Sequence, residues 1–388
     1  MKLHDLERIF VYHSPQYPGF TCWLGLWNMP DQSIMCSFIQ ATGPLTGRPK
    51  APENVREYLT WPPTGHGDEY DMTGLDLRHV HLRSTDCART WQLVSDDPFK
   101  SCMNGAPGET EEVIPDKNAT YGGVILRGVW GPYLPYSDDV PNNGFLQRSA
   151  DGSRTWGPPE IIYDKQGTTF WAKRLRPLRD GRMLAAGGLF FIHPQHNTRR
   201  GWFRDMTMAL FVGDKNAGNW QGPISIIPDE QVGKFAGEEF DWVELANGDL
   251  LCVLRTETGR TFDTHDLGQQ RRITRLVRSG DTWQPTPVEL APFPHSGHPE
   301  MLQTPNGLTL HLATSGISTS ADEGKSWTHF DLTPETTWHG WCYQGTPYYP
   351  KAVQMTDGRI LVLGHVGGDD GYGTVDQAVV GMTFALSP

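Results

Sequence analysis

The chain has 388 residues, a formal net charge of −12, 43 glycines, 30 prolines and only 20% charged residues. This acidic balance, with no basic run, argues against a nucleic-acid partner, and no apolar stretch approaches the ~18 residues that span a bilayer. Abundant Gly and Pro cut the sequence into short segments, as a large all-β repeat requires.

In chain order, residues 8–13 read as an apolar strand. An Asp31-Gln32 turn between apolar runs follows, then the tryptophan-ended turn Ser84-Thr85-Asp86-Cys87-Ala88-Arg89-Thr90-Trp91. A second such turn is Ser149-Ala150-Asp151-Gly152-Ser153-Arg154-Thr155-Trp156, and Asp180-Gly181 forms the next apolar hairpin. Residues 214–220 are a worn copy of the tryptophan turn, Asn247-Gly248 is a hairpin, and Ser279-Gly280-Asp281-Thr282-Trp283 is a shortened copy. Asn306-Gly307, Ser320-Ala321-Asp322-Glu323-Gly324-Lys325-Ser326-Trp327 and Asp357-Gly358 complete the alternation before a closing strand at 382–386. The closing tryptophans are spaced by 65, 64, 63 and 44 residues (156−91, 220−156, 283−220, 327−283). Such a pitch decides architecture before any single residue is interpreted.

Asp bonds backbone N–H groups two residues on, and the Trp ring pins each turn to its sheet. Asn-Gly and Asp-Gly between apolar runs predict type I′ hairpins, with φ > 0 at both central positions. Two hairpins per unit make a four-stranded propeller blade. Blades are expected at 17–97, 118–163, 168–228, 237–291 and 297–332, with a sixth from 348 to 386 that is one strand short. The N-terminal strand supplies the missing strand and closes the ring, leaving no open edge. The expectation is one all-β domain over 1–388, a six-bladed propeller.

The Ser-x-Asp-x-Gly-x-Thr/Ser-Trp turn resembles the Asp-box of sialidases and their relatives. Residues 320–327 match it in full, the first copy has Ala88 where Gly is usual, and the second has its Gly one place early. Residues 239–255 resemble the sialidase segment with a catalytic Glu and, 16 residues on, an Arg that binds the substrate carboxylate. The resemblance makes these Glu239 and Arg255. Tyr349-Pro350-Lys351-Ala352-Val353 resembles the segment bearing the Tyr nucleophile, and Asp71 lies near the family's acid/base Asp, with Asp68 and Asp76 as alternatives. The pattern also departs from the family. Two of its three clamp arginines have no counterpart, their places falling near Cys22-Trp23 and at Ser318.

The repeat makes an independent prediction. Eight residues before each hairpin Asp/Asn stand Trp23, Ala172, Glu239, His298 and Tyr349. Seven residues past its neighbour stand Ile39, Gly188, Arg255, Thr314 and His365. Equivalent places in blades face one axis, so these side chains are expected at a common mouth, where propellers bind ligands. Arg127, Lys173 and Arg174 are placed in corresponding strands of blades two and three.

In the chemistry this implies, Tyr349 attacks the anomeric carbon, Glu239 takes its proton, Asp71 protonates the leaving oxygen and Arg255 grips an anionic group. Arg127, Arg174 and His365 are candidate substrate ligands, and His298 is a candidate proton shuttle. The reading is an exo-glycosidase that removes a terminal acidic sugar. The imidazoles keep a uronate lyase open, and the missing arginines keep open a glycan-binding propeller without catalysis. Each residue also has a packing role available.

The partner is a glycan or acidic sugar. No cofactor and no metal are predicted, and the six cysteines show no metal-ligand spacing. Cys36 and Cys252, inside apolar runs, read as buried thiols. Residues 1–8 lack the apolar core of a secretory signal, so a cytoplasmic protein is expected unless a leader has been removed. The oligomeric state stays open.

Overall fold

The computed structural model describes residues 1–17, 19–44, 46–49, 74–99, 107–129, 144–165, 168–191, 206–231, 235–236, 239–255, 257–258, 271–294, 298–313, 316–332, 347–367 and 376–387. Among them, regular structure is β-strand apart from two three-residue 3-10 turns. The architecture is a six-bladed β-propeller of antiparallel sheets. Asp71 lies outside the described residues, as do Asp68 and Thr314.

The first strand is β1 (Lys2–His13). Blade one is β2 (Gly19–Asn28), β3 (Ile34–Thr42), β4 (Asp76–Ser84) and β5 (Gln92–Phe99). Blade two is β6 (Pro107–Pro115), β7 (Gly123–Val129) and β8 (Phe145–Ser149), extended by a bridge from Leu146 to Glu160. Blade three is β9 (Thr168–Pro177), β10 (Met183–Phe191), β11 (Met206–Gly213) and β12 (Gln221–Ser225). The short β13 (Phe235–Ala236) precedes blade four, made of β14 (Phe240–Glu244), β15 (Leu250–Leu254), β17 (Arg272–Ser279) and β18 (Thr282–Pro285). Two-residue strands β16 (Glu257–Thr258) and β19 (Glu289–Leu290) pair with β13 and β17. Blade five is β20 (Glu300–Gln303), β21 (Thr309–Ala313), β22 (Gly316–Ser320) and β23 (Thr328–Asp331). Blade six is β24 (Tyr348–Gln354), β25 (Ile360–Gly367) and β26 (Gln377–Ser387), and β1 pairs with β26 as its outer strand, as expected.

The chain divides into two compact units, one holding blades six, one and two and the other blades three, four and five. Within each unit the apolar core lies between neighbouring blades. Leu24, Phe38, Leu361 and Val379 form one such cluster between blades one and six. Leu184, Leu210, Trp242, Cys252 and Trp283 form another between blades three and four.

Three expectations need correcting. Blade two begins at Pro107 rather than at 118. Its first strand reads Gly-Glu-Thr-Glu-Glu in the middle and pairs with β7, and Val113 near its end packs against Trp27, Met29, Met35 and Ile125. In consequence Arg127 lies on β7, the second strand of its blade, while Lys173 and Arg174 lie on β9, the first strand of theirs. The hairpins are not type I′ either. Leu178 N–H donates to the Arg182 carbonyl and Gly181 N–H to the Leu178 carbonyl, and the same pair of bonds recurs at 29–33, 245–249, 304–308 and 355–359. These are three-residue loops, in which only the last position needs φ > 0. Gly181, Gly248, Gly307 and Gly358 fill that position, with Gln32 (φ 70°) in blade one.

The tryptophan turns follow one pattern. Ser149 Oγ donates to Asp151, whose carboxylate also accepts from the Thr155 amide and hydroxyl at 2.9 and 2.5 Å. The copies at Asp86 and Asp322 repeat it. Two consecutive positive-φ residues bend each turn: Cys87-Ala88, Gly152-Ser153 and Glu323-Gly324. The displaced glycine of the second copy therefore still occupies one of two left-handed positions.

Candidate functional site

The register of blade four places Glu239 opposite Arg255. Phe240 pairs with Leu254, and one step further the Arg255 amide donates to the Glu239 carbonyl at 2.9 Å. Their side chains also meet, Arg255 Nη1 donating to Glu239 Oε2 at 2.5 Å. Both remain within reach of solvent, with side-chain exposures of 17% and 15%. Burial pushes the Glu239 carboxyl up, but the charges of Arg255, His298 and Lys173 outweigh it and hold the group at about 2. Glu239 is therefore ionised at neutral pH and weakly basic while Arg255 is its partner.

Lys173 reaches this cluster because β9 is irregular. Arg174 pairs with Ala186 but Ala172 with Gly187, so Lys173 is the extra residue of a bulge. A bulge breaks the alternation of faces, which lets adjacent cations serve one neighbourhood. The charge of Lys173 acts on Glu239, just before β14, while Arg174 pairs with Asp241 on β14. Gly187 is required opposite the bulge, since a Cβ there would stand 1.7 Å from the Trp171 carbonyl oxygen.

Two residues further along the inner strands lies a second rank of charges. Asp241 is fully buried and accepts from Arg174 Nε at 3.1 Å, from Arg176 Nη1 and Nη2 at 2.9 and 3.0 Å, and from the amides of Trp242 and Met301 at 2.8 and 2.6 Å. Arg174 also pairs with the buried Glu300 of β20, and Arg176 donates to the Met301 carbonyl at 2.7 Å. Arg174, expected as a substrate ligand, is thus nine-tenths buried between two carboxylates. Asp241, Glu300 and Arg176 were not singled out in the sequence. Their signal was there: Asp241 and Glu300 stand two places after Glu239 and His298, the period that returns a strand to the same face.

The other candidates lie in the unit of blades six, one and two. Tyr349 is partly exposed, at a bulge of β24 between the pairs Tyr348–His365 and Lys351–Leu363. Its φ is 51°, and Trp23, at the corresponding bulge of β2, has the same value. Left-handed backbone is costly for a bulky residue and concentrates at functional sites. His365 is buried, with Nδ1 3.1 Å from Thr21 Oγ1.

Arg127 is also buried. It donates to Asp97 and to Gln147, contacts His79 Nδ1 at 3.0 Å and stacks 3.9 Å above the Trp156 ring. Burial, then neighbouring charge, pushes the His79 and His81 imidazoles down, His81 to about 3, so both are neutral.

No protein-family model matches the chain, and no curated protein matches it in sequence. Solved structures do. A protein of unknown function from Dyadobacter fermentans aligns at 16% identity over 99% of both chains, with a TM-score of 0.65. An alpha-L-arabinanase from Penicillium chrysogenum aligns at 13% identity over 99% of this chain and 98% of its own, with a TM-score of 0.59. An intramolecular trans-sialidase from Ruminococcus gnavus aligns at 10% identity over 97% and 98%, with a TM-score of 0.54. The chain has the sialidase-type propeller fold, in a form of very divergent sequence.

Proposed function

We propose that this propeller is a carbohydrate-active enzyme, an exo-acting glycosidase that removes a terminal acidic sugar from a glycan with retention. The observation that supports it is the Glu239 carboxylate set among Arg255, Lys173 and His298 at the start of the inner strands. Such a cluster suits a ligand that brings its own negative charge, and a guanidinium holds a carboxylate through two parallel bonds. The neighbours named as an arabinanase and a trans-sialidase show that this fold accommodates glycan chemistry, although fold alone does not assign it.

Tyr349 keeps the nucleophile role that its sequence segment implies. A neutral phenol is not repelled by the acid group of the sugar, and Tyr-based retention is a recognised exception to the two-carboxylate scheme. The residue's left-handed backbone supports a positional demand that overrides local preference. Asp71 keeps the acid/base role by resemblance only, and His298 is the nearby imidazole available to move a proton.

A screen of sialosides, related nonulosonates and uronate-terminated oligosaccharides, read by mass, tests this reading. The expected product is one released acidic sugar with one water added, and Tyr349→Phe is expected to abolish release while leaving glycan binding intact. An ultraviolet-absorbing unsaturated uronate would instead make the protein a lyase. Binding without turnover by the wild type would make it a glycan-binding module.

A further inference from the structure

The Glu239–Arg255 pair poses a problem for any proton transfer at Glu239. The cross-strand register builds the pair into a single hairpin, and Arg255 is bonded to it through both backbone and side chain. A carboxylate so satisfied accepts a proton poorly. Yet the pair sits at the solvent-reachable edge of the blade, unlike the buried charges two residues further in.

We infer that Arg255 exchanges partners on ligand binding: an anionic group of the ligand takes the guanidinium, and Glu239, released, becomes the proton acceptor. The inference rests on the proposed function for its ligand class, an acidic sugar, and deepens it by making the ligand's charge a condition for Glu239 to act. A neutral sugar of the same shape leaves the pair closed and Glu239 inert, so charge selectivity appears in proton transfer as well as in binding.

Charged groups that act on Glu239 include Arg255, His298 and Lys173. Deeper, Arg174 and Arg176 are matched by Asp241 and Glu300. Arg255 is the side chain bonded directly to Glu239, so it contributes most to the change when its bond is lost. With Arg255 engaged by a ligand anion, the burial of Glu239 is opposed by fewer cations and its affinity for a proton rises.

Titration calorimetry on the intact chain tests this, with D-glucuronate and sulfate as anionic probes and glucose as the neutral control. Runs in two buffers of different ionisation heat give the protons taken up per ligand bound. Near pH 4, wild type is expected to take up a substantial fraction of one proton with either anion, against none with glucose and little near pH 7. Glu239→Gln, which removes the competitor for Arg255, is expected to take up none and to bind both anions about tenfold more tightly. Arg255→Gln is expected to weaken anion binding by at least about tenfold.

Anion binding by wild type without proton uptake overturns the inference, as does a Glu239→Gln variant that binds no more tightly, or no binding of either anion at any soluble concentration. The wild-type measurement needs no variant to fold. None of these readings needs turnover, so proton uptake without glycan cleavage would remove the enzymatic function and keep the exchange. Cleavage without uptake would do the reverse.

Discussion

Two ranks of charge on the inner strands of blades three to five, two residues apart, are built in opposite ways. At the edge, Glu239 and Arg255 form one side-chain ion pair with about a sixth of each side chain exposed. Deeper, Asp241 receives two guanidiniums and two amides and is fully closed to solvent, and Glu300 shares Arg174 with it. The inner rank ties the first strands of three blades together: Arg174 and Arg176 come from β9, Asp241 from β14 and Glu300 from β20. Charges with that many fixed partners have no capacity left for a ligand. The outer pair keeps a path to water, which the proposed exchange with a ligand needs. Buried charge here ties the strands together, and the more exposed pair is the one proposed to recognise ligand.

Mutation separates the two ranks. Asp241→Asn leaves the buried Arg174 and the partly exposed Arg176 with Glu300 as their remaining carboxylate. Breaking such a pair is expected to cost about 3–5 kcal/mol, read as a lower denaturation midpoint in urea. Glu239→Gln removes a carboxylate that Arg255, Lys173 and His298 act on, but water reaches the site and screens what remains. The expected loss is smaller, about 2 kcal/mol. If the two variants lose equal stability, the contrast between a locking rank and an exchanging rank is wrong.

Much of this was legible because the hairpin loops are the same length in five blades. The count therefore sets Glu239 opposite Arg255 across the hairpin of blade four, and β1 was readable as the missing strand of blade six. The Asp/Asn side chain accepts from the amide two residues on, as at Asp180, Asn247 and Asp357, which is why the turn recurs so visibly. Bulges left no such mark. They insert a residue near Trp23, Lys173 and Tyr349 without changing composition, so beyond each bulge the count misses the cross-strand partner by one, while pairs on the turn side keep their register. Strand β6 was invisible because its acidic run carries no apolar alternation. The inner rank was readable in principle, as charged residues at period two from the candidates. A lone Asp or Glu in a strand gives no hint, however, that its counter-ions come from neighbouring blades.

The smallest expected effect is a difference in acid sensitivity, and its sign follows from the direction of the Glu239 shift. The group titrates at about 2 in the folded chain against 4.5 when free, so the unfolded state binds its proton first as pH falls. Stability from Glu239 is therefore complete above the free value and is lost as pH drops through 4.5 toward 2. Between about pH 6 and about pH 3.5 the expected loss is about 1 kcal/mol. Other carboxylates add their own losses, such as Asp180, which Arg182 holds at about 2. The informative quantity is thus the difference between wild type and Glu239→Gln, measured by urea denaturation across that range. The wild type should converge on the variant as pH falls, because protonated Glu239 and Gln are near equivalents. Parallel curves would mean that Arg255, Lys173 and His298 do not hold the carboxylate ionised. The outer rank would then be an ordinary solvated pair with no proton affinity for a ligand to change.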